Sequence, residues 1–164
     1  MDLFEEYLKK ESSSNWVKRA LTDNSYKNEY LRENKELYDG KTNQELATYG
    51  DAVINLCILE LMFDKEKDIS VKKSFIESDE NLVKVVAKHY NMLKYIHTDS
   101  EDKKMKRDYN FIKPKKTIGK NKKDSPHKYI ATAIEAMIGA IYKEENKLEP
   151  IIDLLDSWCK MKNE

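Results

Sequence analysis

Apolar residues recur at helical spacing along most of the chain. Leu3, Phe4, Tyr7 and Leu8 line one face of a segment over 3–10, and Trp16, Val17, Ala20 and Leu21 line one face of 14–22. The stretch SYKNEYLRENKELYDG is polar with spaced Tyr and Leu, and Gly40 stops it. Thr42 opens the next helix. In TNQE the Thr42 hydroxyl and the Glu45 side chain are placed to bond each other's backbone amides as a capping box. That helix runs to about Phe63. Ser70 starts another, Ser78 restarts one after a break, and HYNMLKYIH reads as a helix end and turn. Residues 98–124 show no period and form a loop region. Ser125 and Pro126 make a good N-cap and first-turn pair for a helix reaching Tyr142. A last amphipathic helix covers about 146–161, with Leu148, Ile151, Ile152, Leu155 and Trp158 apolar. The pattern predicts an all-α fold of about eight helices in a single domain over 1–164.

Composition supports that picture. Only four Gly and three Pro punctuate 164 residues, too few for a turn-rich sandwich or barrel. No apolar run approaches the roughly 18 residues of a membrane span. The acidic start, MDLFEEYLKK, does not resemble a secretion signal. Cys57 and Cys159 share no metal spacing and sit among apolar residues, so both read as buried free thiols in a reducing cytoplasm.

Charge adds an asymmetry. Lys+Arg equals Asp+Glu over the whole chain, yet Lys103 to Lys128 holds eleven bases against two acids. A basic segment on an acidic body suits a polyanionic partner. A solvated charge run is the plainer reading of composition alone.

Two carboxylates stand out against greasy helices. Asp51 follows Gly50 in ELATYGDAVINL, and Glu135 lies within KYIATAIEAMIGAIY. Ala131, Ala136, Gly139 and Ala140 are small enough for another helix to approach closely. Two half-buried acids on two close-packed helices can share a cation, and oxygen ligands suit Mg²⁺. Each could equally pair with a lysine, Lys128 being the nearest base for Glu135.

ALTDNSYKNE, NQELATYGDAV, ESDENLVKVVAK and KYIATAIEAMIGAIY occur in that order. Together they resemble the catalytic domain of ribonuclease III, over roughly residues 14–158. The resemblance implies the ribonuclease III endonuclease-domain fold, a homodimer, and Mg²⁺-dependent cleavage of double-stranded or structured RNA, with Mn²⁺ as a substitute ion. It implies catalytic roles for Asp51, Glu135 and Lys128, with Asp51 and Glu135 on the metal. Asn55 matches a common asparagine one turn after the aspartate, and Glu60 matches a later acid on the same helix. Two of the four usual metal-site acids are replaced, by Ala47 and Thr132, and Gln44 stands where a further acid is often found. Gln44 and Thr132 are left to bind metal-bound waters, with Asn55 as a third auxiliary residue. Thr48 stands where an aromatic residue often plugs the partner subunit. Alanine and threonine at positions 47 and 132 also resemble the short Mini-III enzymes, which mature ribosomal RNA, so precursor ribosomal RNA is an expected substrate class. No double-stranded-RNA-binding domain is expected within this chain.

Affinity for RNA then falls to the basic loop. Lys103, Lys104, Lys106, Arg107, Lys113, Lys115, Lys116, Lys120, Lys122 and Lys123 are the expected phosphate contacts. The replaced acids leave an alternative open: a catalytically inert relative that binds structured RNA.

Overall fold

The computed structural model describes residues 1–27, 41–65, 68–99, 108–113 and 126–161. Among them, helices are α1 (Leu3–Leu8), α2 (Asn15–Ala20), α3 (Gln44–Met62), α4 (Ile69–Ile76), α5 (Asp79–Asn81), α6 (Lys128–Glu145) and α7 (Glu149–Cys159). The α5 turn continues as a π-helical stretch, Leu82–Ala87, and a 3₁₀ turn follows at Met92–Lys94. No strand forms among these residues; Thr22 and His97 make an isolated bridge. The all-α fold is as the periodicity predicts.

Helix α6 is the centre. Ile130, Ile134, Met137, Ile138 and Ile141 are fully buried, and the helix packs on α3, α2, α1, α7 and the π-helical stretch. Its tightest neighbour is α3. A Cβ on Gly50 would lie 1.8 Å from the Glu135 carbonyl oxygen, and one on Gly139 would lie 2.5 Å from the Leu46 carbonyl oxygen. The two backbones therefore touch, which only glycine at both positions permits.

The first and last helices close around Tyr90. Its hydroxyl donates to Asp2 at 2.5 Å and accepts from the Trp158 indole at 2.9 Å. The Phe4 ring packs against both Tyr90 and Trp158.

Local starts differ from the sequence pattern in instructive ways. Ser14 and Ser78 cap α2 and α5, each accepting from an amide three residues on. The capping box at Thr42 and Glu45 does not form. Asn43 is the N-cap and makes no side-chain cap bond. Glu45 turns to Arg19, 2.6 Å away, whose Nε also donates to the Thr42 carbonyl. A charge-assisted bond to a guanidinium outcompetes a neutral amide. Arg19 is 11% exposed and Glu45 87%, so the pair is asymmetric. Arg19→Met is expected to cost about 1–2 kcal/mol by stranding the Thr42 carbonyl, and Glu45→Gln under ~0.5 kcal/mol. Urea melts of the two variants measure this.

Helix α6 starts at Lys128, not at Pro126. Pro126 lies in the preceding turn, and Ser125 lies outside the described residues. His127 caps the helix and is fully buried, with Nε2 3.0 Å from the Asp108 carboxylate. Helix α6 also runs past Tyr142 to Glu145, where Asn146 ends it in the left-handed conformation. Cys57 is buried as expected, but Cys159 is exposed, because it falls on the outer face of α7 beside the buried Trp158.

Candidate active site

The glycine crossing decides what Asp51 meets. Gly50 presses on the Glu135 backbone, so the residue after it leaves α3 beside Glu135 of α6. Asp51 is exposed rather than half-buried, because the α3 face behind Gly50 opens to solvent there. Glu135 is half-buried. Burial pushes its carboxyl up to about 7; Lys128 offsets part of this, and Asp51 and Asp79 add to it. The two sequence-selected acids and Lys128 are thus one electrostatic group.

Asp79 was not selected from the sequence, yet it belongs to the same group. Lys128 Nζ donates to both Asp79 carboxylate oxygens at 3.0 Å. Asp79 follows the Ser78 cap in the first turn of α5, where an acid is ordinary because it complements the helix dipole. That plain explanation concealed it. Next to it, Glu80 bonds Lys84 at 3.0 Å and Lys113 at 3.1 Å, and these lysines hold its carboxyl below the usual range.

The auxiliary residues divide. The Asn55 amide donates to the Asp51 carbonyl at 2.8 Å and stays on the α3 surface. Gln44 is exposed at the start of α3, one helical face with Asp51 but two turns away. Thr132 and Ala47 are both buried. Glu60 is exposed on α3. Tyr49, beside Thr48, is exposed; its ring meets Tyr142 at 6.0 Å and carries the Lys143 ammonium at 4.2 Å.

Of the expected RNA contacts, Lys113 is described and is 80% exposed. Lys103, Lys104, Lys106, Arg107, Lys115, Lys116, Lys120, Lys122 and Lys123 lie outside the described residues. The described part of that region, residues 108–113, is tied down. Asp108 meets His127, and the Tyr109 hydroxyl donates to Asn91 and accepts from the Leu93 amide.

The donor set suits a divalent cation of the oxygen-loving kind. An exposed carboxylate, Asp51, and a half-buried one, Glu135, come from facing helices and repel each other, and positive charge relieves that repulsion. No cluster of three or more His, Cys, Asp or Glu with metal-holding geometry occurs among the described residues. An ion held by two carboxylates keeps most of its waters, as Mg²⁺ prefers.

An all-α fold in which two long helices, α3 and α6, touch backbone to backbone at glycines is the class this geometry defines. The Ribonuclease III domain model matches residues 44–146, and the chain belongs to that family. Ribonuclease 3 proteins from two strains of Clostridium botulinum are each 29% identical over 133 residues, covering 79% of this chain and 47% of theirs. The chain thus spans about half the length of the curated relatives it matches. The crystal structure of the nuclease domain of ribonuclease III from Campylobacter jejuni superposes with a TM-score of 0.62. It is 22% identical, with 94% of this chain and 92% of that one covered, and it shows the shared fold.

Proposed function

We propose that this chain is a divalent-metal-dependent endoribonuclease that cuts double-stranded or structured RNA, precursor ribosomal RNA among them. The observation that carries the reading is the close approach of Gly50 to the Glu135 backbone, with Asp51, the next residue, within electrostatic reach of the Glu135 carboxyl. Asp51 and Glu135 would hold the ion, Mg²⁺ or Mn²⁺. When bound, the ion supplies water activation and charge neutralisation at a phosphodiester. Glu135 must give up its proton to bind it, so occupancy should rise as pH passes about 7. Lys128, held by Asp79, presents an ammonium next to the acids, and Lys84 and Lys113 share Glu80 beside it.

The same reading includes a homodimer. Ala52, Leu56, Leu59 and Phe63 form a stripe at intervals of four, three and four on the outer face of α3, and the last three are 44%, 43% and 68% exposed. A seam of that spacing fits a second helix. No helix among the described residues is long and apolar enough to cross a membrane.

The test is cleavage of a long duplex RNA with Mg²⁺. Wild type should cut and Asp51→Asn should not; cutting that survives the substitution would dismiss the site. Absence of cutting by wild type, with duplex binding retained, would favour the inert binder that the buried Ala47 and Thr132 allow. Binding should weaken at least tenfold between about 50 and 200 mM salt if several lysines neutralise phosphates. A flat salt response in a filter-binding titration would remove the basic loop from the account.

A further inference from the structure

Lys128 and Glu135 lie two turns apart on α6, and side chains on a helix lean towards its N-terminus, so Glu135 leans towards Lys128. The ammonium is within electrostatic reach of Glu135. It is nevertheless held in a two-point bond by Asp79, from a separate element. The neighbouring acid, Glu80, already holds Lys84 and Lys113. Asp79 is therefore the carboxylate that competes with Glu135 for this lysine.

We propose that Asp79 is a positioning residue that keeps the Lys128 ammonium from settling on Glu135, and so keeps Glu135 open to a divalent cation. The inference rests on the reading of Asp51 and Glu135 as the ion's ligands. A carboxylate satisfied by an internal ammonium binds an external cation less well, because the ammonium must first be displaced. The single ammonium nitrogen bridges both Asp79 oxygens at 3.0 Å, which draws its charge towards Asp79. Without the Asp79 carboxylate, Glu135 gains a larger share of the Lys128 charge.

The experiment is Mn²⁺ binding to the metal-free protein without RNA, read from the spin-resonance signal of the unbound ion. Asp79→Asn should weaken binding about tenfold, the scale on which a nearby opposite charge changes a carboxylate's cation affinity. Asp79→Glu, which keeps the charge, should retain most of it. The decisive arm is the double variant. A simple change in local charge predicts that Lys128→Met strengthens binding equally with or without Asp79. The competition predicts a much larger gain in the Asp79→Asn background, returning affinity to within about twofold of wild type. Such coupling between neighbours is what a double-mutant cycle isolates. Equal effects in both backgrounds, or no loss in Asp79→Asn, would overturn the proposal. Thermal melts by circular dichroism establish that each variant is folded before titration. If Glu135→Gln binds Mn²⁺ as well as wild type, the ligand assignment itself fails, and that result is distinct from the others.

Discussion

Glu135→Gln should abolish metal-dependent cleavage and at the same time make the metal-free protein more stable. The loss of activity should exceed about a hundredfold if Glu135 is one of the two proposed charged ligands, since it becomes a neutral amide. The stability gain follows from burial. The Glu135 carboxyl titrates near 4.5 when unfolded and is pushed up to about 7 in the folded chain. Below pH 4 it is neutral in both states, and glutamine should change little. Between about 4.5 and 7 the unfolded chain is ionised while the folded chain still holds the proton, so stability declines across that window and levels off above it. The full shift corresponds to roughly 3 kcal/mol at 1.36 kcal/mol per unit, and partial exposure reduces it to about 1–3 kcal/mol. The variant should therefore melt higher than wild type at pH 8, by several degrees, and equally at pH 4. Adding Mg²⁺ should narrow the gap by stabilising only the wild type. Calorimetric scans across pH 4–8 supply the measurement. A gap that stays constant with pH would mean that Glu135 is not the group whose charge is strained.

Gly50→Ala should have the largest effect on folding. The added methyl would sit 1.8 Å from the Glu135 carbonyl oxygen, and that oxygen belongs to a central helix with no room to retreat. Either α3 and α6 separate, exposing Leu46 where it packs on Gly139, or the chain fails to fold. A cost above ~3 kcal/mol is expected, beyond the usual range for overpacking. Ala52→Gly, on the exposed face two positions on, should cost only about 1 kcal/mol, the helix-propensity difference. Denaturant unfolding of the pair separates the steric effect from propensity. Comparable losses in the two would place the helix crossing elsewhere.

The fold was readable from periodicity because helix cores repeat every three to four residues and leave few alternatives. The close approach of α3 and α6 was also readable, from Ala131, Ala136, Gly139 and Ala140. Partner choice was harder to read. Thr42 and Glu45 fit a local capping pattern, but Arg19, distant in sequence, offered Glu45 a stronger bond. Asp79 escapes a sequence reading because nothing in its sequence neighbourhood points to Lys128, 49 residues away, which it meets in the fold. Asp51 looked costly to bury because its sequence neighbours are apolar; a helix turns those neighbours away, and the carboxylate stays in water. Cys159 was misplaced for the same reason, since adjacency to Trp158 puts it on another face. In each case the sequence shows which groups can interact locally, while the winning partner is chosen by packing.

The Tyr90 junction has a consequence for protein engineering. Because Asp2 and Trp158 share one hydroxyl, positions near the two ends of the described chain are neighbours in space. A short linker could join them, and new termini opened elsewhere would give a circular permutant with the same core. The junction would then lie inside a continuous chain, away from fraying ends.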